Sequence, residues 1–170
     1  MNISQSTKNR IQVKNENALI YLTDDTSDIA EGDILCLAKP TQGYYEGNIL
    51  YTAGEYDIKN IIIFSYKLEE QIIYHMIVDE INIVYVNKSI DIDKNDIKIL
   101  ENIEKCNILI TNISTIDDLS SIVTSLSPNI VCVNEGFVNS ESYEKFKSFK
   151  VKMNDISQDD ENVRYVLLQK

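Results

Sequence analysis

Histidine is almost absent from this chain: His75 is the only one in 170 residues. One imidazole cannot build a His-rich zinc site, and no G-x-S-x-G elbow is present to suggest a nucleophilic triad. His75 alternates with Tyr74 and Met76 in an apolar run, where a lone histidine reads as packed or surface-facing. Glycine is scarce at five residues, and neither G-x-x-x-x-G-K-[ST] nor G-x-G-x-x-G occurs, so nucleotide binding has no support. Tryptophan is missing, and the core is expected to be rich in isoleucine and tyrosine, residues that favour strands. The three cysteines, Cys36, Cys106 and Cys132, lie in or at the start of apolar runs without metal-ligand spacing, and read as small buried hydrophobes.

Positive charge is also short. Sixteen Lys and Arg face twenty-seven Asp and Glu, a net charge of -11. That argues against a nucleic-acid backbone or an anionic membrane as partner. The densest basic stretch, "KFKSFKVK" at 145–152, reads as a solvated helix end followed by a strand. No segment approaches ~18 uninterrupted apolar residues, and the opening MNISQSTKNR has no apolar signal core. A cytoplasmic protein is expected. With 44% hydrophobic and 25% charged residues, the chain reads as a single globular domain over 1–170.

The first half reads as strands. "RIQVKN" and "ALIYL" form a hairpin around Glu16-Asn17, "DILCL" and "NILYT" follow, then "YDIKNIIIFSY". "QIIYHMIVD" and "INIVYV" pair around Asp79-Glu80. The series is expected to be mostly antiparallel. In the second half "DKNDIKILENIEKC" has near-helical spacing of Ile97, Leu100 and Ile103. "STIDDLSSIVTSL" is the clearest helix: Leu119, Ile122, Val123 and Leu126 share a face, Thr115 and Asp118 form a capping-box-like start, and Pro128 stops it. "NILIT", "NIVCV" and "NVRYVLLQ" are strands. "NSESYEKFKSF" is expected as a last helix with Tyr143, Phe146 and Phe149 inward. The chain shows no internal repeat, no low-complexity tract and no convincing linker.

"DIDKND", Asp91 to Asp96, begins like a calcium loop. Its sixth position is Asp96 where Gly is needed and its twelfth is Asn102 where Glu is needed, so an acidic helix start fits better.

Three collinear stretches carry a family resemblance. "YTAGEYDIKNIIIF" resembles the "PGEYEI-x-GV-x-I" segment of a divergent branch of the metallo-β-lactamase fold, the branch similar to ascorbate-6-phosphate lactonase. "INIVYVNKSIDI" resembles its "I-x-I-x-H-L-G-D-L", and "CNILITNIS...DLSSIVTSLSPNIVCVNEG" its "DILLIPV...A...I..I-x-P-K-IVIPMHY". The resemblance implies an α/β fold, a trimmed metallo-β-lactamase-like sandwich of two mixed β-sheets with helices outside.

The family's strand like "DILCL" runs into S-H-x-H-x-D-H, the main metal loop. Laid on this sequence, that loop is Ala38 to Tyr44. Its two first histidines fall on Lys39 and Thr41, its Asp on Gly43 and its last His on Tyr44. The later Gly-Asp ligand falls on Lys88 after Asn87, and the final His on Glu135. Of these, Glu135 alone suits a metal. The resemblance therefore implies the fold and, by departure from the pattern, no metal and no other cofactor. Lys39, Thr41, Tyr44, Lys88 and Glu135 are expected to line a degenerate pocket, with the two ammonium groups facing Glu135. The expected role is a non-catalytic binding or assembly module for a small anion or a protein partner, with self-association open. The alternative is a hydrolase of the same fold whose site is unrecognised.

Overall fold

The computed structural model describes residues 1–6, 10–24, 33–39, 47–68, 70–88, 99–100, 102–134, 143–156 and 162–169. Two mixed sheets face each other. Six strands build the first, β1 (Asn2–Gln5), β2 (Ile11–Lys14), β3 (Leu19–Thr23), β4 (Ile34–Leu37), β5 (Asn48–Leu50) and β13 (Ser148–Lys150), in the order β13-β1-β2-β3-β4-β5. Eight build the second: β6 (Gly54–Ile58), β7 (Ile61–Leu68), β8 (Gln71–Val78), β9 (Ile81–Val86), β10 (Ile108–Thr111), β11 (Ile130–Asn134), β12 (Glu144–Phe146) and β14 (Arg164–Leu168), in the order β12-β14-β11-β10-β9-β8-β7-β6. The expected sandwich of two mixed sheets is the observed architecture, with few helices.

Strand alternation builds the layers. In β9, Ile81, Ile83 and Tyr85 enter the core between the sheets, while Val84 and Val86 face the opposite side. That outer side is covered by α1 (Ile116–Leu126). Leu119, Ile122 and Leu126 of α1 pack with Val84, Leu109, Val131 and Val133 in a second apolar cluster. The helix begins as its sequence predicts: the Thr115 hydroxyl accepts from the Asp118 backbone N–H, and Ser127 ends it in the left-handed conformation at φ 45°.

The hairpin at Asp79-Glu80 forms as expected, with φ of 51° and 66°. Such values suit the tight turns that match strand twist. The stretch "YDIKNIIIFSY" divides into β6 and β7 at Lys59-Asn60, whose φ values of 54° and 62° make the same kind of turn. Three expectations are corrected. First, although the first half is mostly antiparallel as expected, β3, β4 and β5 pair in parallel and are the exception. Second, the opening residues form β1, which pairs with both β2 and β13. Third, within "NSESYEKFKSF" the described residues are strands β12 and β13, which belong to different sheets. The lysines of "KFKSFKVK" are all exposed on this pair and its flanks. The calcium-like stretch 91–96 lies outside the described residues.

The cysteines are buried and free, as expected. Burial pushes the Cys36 and Cys106 thiols far up and that of Cys132 up to about 12, so all three are neutral. His75 is buried on the outer side, stacked on Phe64 with ring centroids 5.6 Å apart.

Candidate functional site

Strands β9, β10 and β11 run parallel, so their carboxyl ends open at one mouth of the sandwich. Each carries the same short pattern: Asn82-Ile-Val-Tyr-Val-Asn87, Asn107-Ile-Leu-Ile-Thr-Asn112 and Asn129-Ile-Val-Cys-Val-Asn134. The registers align Ile83 with Ile108 and Ile108 with Ile130, which sets the asparagines side by side. The interval of five is odd, so the two rows fall on opposite faces of the sheet.

The leading row lies on the outer side. Asn107 Oδ1 accepts from the Asn82 backbone N–H at 3.0 Å, and Asn107 Nδ2 donates to Asn129 Oδ1 at 3.2 Å. Asn82 Nδ2 points to Asn107, at 3.4 Å, so Asn82 Oδ1 accepts from His75 Nε2 at 3.0 Å. This explains His75 structurally: the ring packs on Phe64 and its N–H closes the amide row.

The trailing row faces the space between the sheets. Asn134 Nδ2 donates to Asn112 Oδ1 at 2.9 Å, and Asn112 Nδ2 donates to Asn87 Oδ1 at 2.7 Å and to the Tyr85 hydroxyl at 3.2 Å. Tyr85 in turn donates to Asn87 Oδ1 at 2.9 Å. Burial raises the Tyr85 pKa strongly, and the Asp24 carboxylate and Cys36 raise it further, so the phenol stays protonated. The oxygen of Asn87 is thus doubly occupied. Its Nδ2 is the one donor of this row's centre without a partner among the described residues, on a side chain only 8% exposed.

The first sheet reaches the same mouth. Ala38, just past β4, accepts from the Ile72 backbone N–H at 2.8 Å and donates to Thr23 O at 2.8 Å. Tyr74 ties the sheets together, its hydroxyl lying 2.7 Å from both Leu37 O and Leu50 O. Lys39 Nζ is 3.2 Å from Asp24 Oδ2, with both side chains about half exposed. Lys88 is held by its backbone: its N–H donates to Gln71 Oε1 at 3.3 Å, and its carbonyl accepts from Gln71 Nε2 at 3.5 Å. A pocket of about 210 Å³ opens here, lined by Asn87, Lys88, Asn112, Ile113, Ser114 and Asp118.

Of the expected site residues, Lys39 and Lys88 are therefore both placed at this end. The carboxylate beside Lys39 is Asp24, which the sequence reading did not name. Thr41, Tyr44 and Glu135 lie outside the described residues. Tyr85, Asn112, Asn134 and Gln71 were missed. The signal that could have found most of them is Asn-Ile-x-x-x-Asn, which recurs on the three strands at 82–87, 107–112 and 129–134 (and once more at 102–107, just before β10), and which a search for apolar periodicity passes over. It also corrects the statement that no repeat exists. Among the described residues no group of three His, Cys, Asp or Glu is arranged to hold a metal ion.

Comparison with solved structures supplies the relation. A protein from Thermotoga maritima, provisionally assigned as a Zn-dependent hydrolase of the metallo-β-lactamase superfamily, superposes with a TM-score of 0.74 at 10% identity. The match covers 100% of both chains. The fold is metallo-β-lactamase-like. At this identity the similarity concerns architecture. No family model matches the sequence, and no curated protein matches it.

Proposed function

We propose that this chain is a non-catalytic protein of metallo-β-lactamase-like fold that acts as a binding or assembly module. The observation carrying the reading is the trailing asparagine row. Where the three parallel strands end, the described side chains of that row are carboxamides and a neutral phenol. A carboxamide is neither acid nor base at pH 7, and those of Asn112 and Asn134 are bonded within the row rather than free to engage a reacting atom. Zinc needs about three or four N, S or O donors at ~2.0–2.3 Å. Asn87, Asn112, Lys39 and Lys88 do not supply such a set, and an ammonium group repels a cation. In this proposal Lys39, Thr41, Tyr44, Lys88 and Glu135 stand at what remains of a set of ligand positions, and the site binds without hydrolysing. Its cytoplasmic setting is part of the proposal, supported by three cysteines that stay free and buried.

One observation favours the alternative, a hydrolase: the end-to-end structural match to a protein assigned as a Zn-dependent hydrolase. Calorimetric titration of the protein with zinc and with manganese separates the two. The proposal expects no saturable one-to-one binding. Tight stoichiometric uptake of either metal would overturn it.

A further inference from the structure

The pocket at the mouth carries opposite charges that do not meet. Lys88 and Asp118 both line its roughly 210 Å³, yet no ion pair within 4.0 Å joins them. Several groups at the cavity are held in place by neighbours. The Gln71 carboxamide clamps both backbone polar groups of Lys88, at 3.3 and 3.5 Å. Tyr85 and Asn112 hold the oxygen of Asn87, at 2.9 and 2.7 Å, which turns its Nδ2 outward. The Thr115 hydroxyl lies 2.6 Å from Asp118 Oδ2, which leaves Oδ1 open. Groups placed in advance lose little entropy when a ligand arrives.

We propose that this pocket binds a small zwitterion of the α-amino acid class. This rests on the binding-module reading above and names its ligand chemistry. The carboxylate of the ligand accepts from Asn87 Nδ2 and from the Lys88 ammonium. Its own ammonium group donates to Asp118 Oδ1, with Ser114 beside it. A carboxylate alone would meet Asp118 at like charge, and an amine alone would meet Lys88. A zwitterion satisfies both, and it does so without adding to the net charge of a chain already at -11. Size agrees. At about 30 Å³ for each water-sized group, the pocket has room for roughly seven such groups, enough for an amino acid with a short side chain. Ile113 is the apolar wall against which that side chain lies.

The test is isothermal titration of the whole chain with glycine, alanine, serine and threonine, beside propionate and ethylamine at matched ionic strength. Saturable binding of at least one amino acid, with propionate and ethylamine at least about tenfold weaker, is expected. Lys88 and Asp118 are exposed, so Lys88→Met and Asp118→Asn keep the fold, checked by thermal unfolding. Each is expected to weaken amino acid binding about tenfold or more. Lys88→Met abolishes any preference over ethylamine, and Asp118→Asn any preference over propionate. Absence of saturable binding by all four amino acids would overturn the inference. So would equal binding of propionate, or affinity unchanged in both variants. Metal uptake separates this failure from failure of the wider reading. A chain that takes up neither metal nor amino acid loses only the ligand assignment, whereas stoichiometric metal removes the binding-module reading itself.

Discussion

Replacing Asn112 with alanine probes the trailing amide row at its centre. Three hydrogen bonds disappear: those to Asn87 Oδ1, to the Tyr85 hydroxyl and from Asn134 Nδ2. Each is worth about 0.5–1.5 kcal/mol net, so their sum is about 3 kcal/mol. The residual bond from Tyr85 to Asn87 keeps the Asn87 oxygen satisfied, which holds the loss near that sum. In a chain of this length about 3 kcal/mol corresponds to a fall in Tm of roughly 6–12 °C. Urea unfolding followed by far-ultraviolet circular dichroism reads the free energy, and a thermal scan reads Tm. Asn17→Ala, at an exposed turn position, is the control and should stay within about 0.5 kcal/mol of the parent. A loss for Asn112→Ala no greater than that of the control would refute the reasoning. The row would then be a set of amides as well served by water as by each other.

Tyr74→Phe removes the hydroxyl that bridges Leu37 O and Leu50 O in the core, and should cost about 1–3 kcal/mol in the same urea assay; a neutral outcome would mean that the two carbonyls find other donors. Glu144 is held below the usual carboxylate range by its hydrogen bonds from Arg164, at 2.6 and 2.7 Å. A lowered carboxyl pKa stabilises the fold above its unfolded value, and that contribution is lost as pH falls through the folded value. The pair is half exposed, so Glu144→Gln should cost at most about 1 kcal/mol at pH 7 and nothing once both states are protonated in acid; a pH-independent difference would contradict this. The cysteine thiols should resist a disulfide reagent in the native protein and all react after unfolding, because burial keeps them protonated and covered; rapid native labelling would show that the core opens. Lys145 and Lys150 stand on β12 and β13, the outermost strands of their sheets among the described residues, where lysine discourages edge pairing. Lys145→Thr with Lys150→Thr should increase self-association in sedimentation velocity, and an unchanged distribution would assign those lysines another role.

Strands were legible where burial is one-sided or complete, as in β2, β3 and the β8–β9 hairpin, because alternation and turn residues agree there. Direction was not legible, since a strand has the same pattern of side chains whether its neighbour is parallel or antiparallel. Hence the parallel pairing of β3 to β5, the exception in a mostly antiparallel half, was not foreseen. The helix expected over 139–149 failed across its described part, 143–149, for a definite cause. Phe146 enters the core from the second sheet and Phe149 from the first, because the chain changes sheets at Lys147. Their rings meet at 5.1 Å between centroids, and the change of sheet produces a spacing of three that imitates a helical face. β1 was missed because Ile3 is the only apolar residue inside it. At the site, Lys39 and Lys88 were found through the family resemblance, which aligns ligand positions. The asparagine row was not, because it consists of neutral residues that no metal pattern includes and whose partnership depends on parallel register across three strands. Asp24 was missed for a related reason: its pairing with Lys39 depends on β3 and β4 ending side by side.

The most direct test of the account is elemental analysis of the protein purified without chelator, then again after expression with added zinc or manganese. The account predicts metal far below one atom per chain in both preparations, with the fold and its unfolding curve unchanged between them. About one tightly held atom per chain would contradict it. The mouth of the sandwich would then be a metal centre built in part by residues other than the asparagine row.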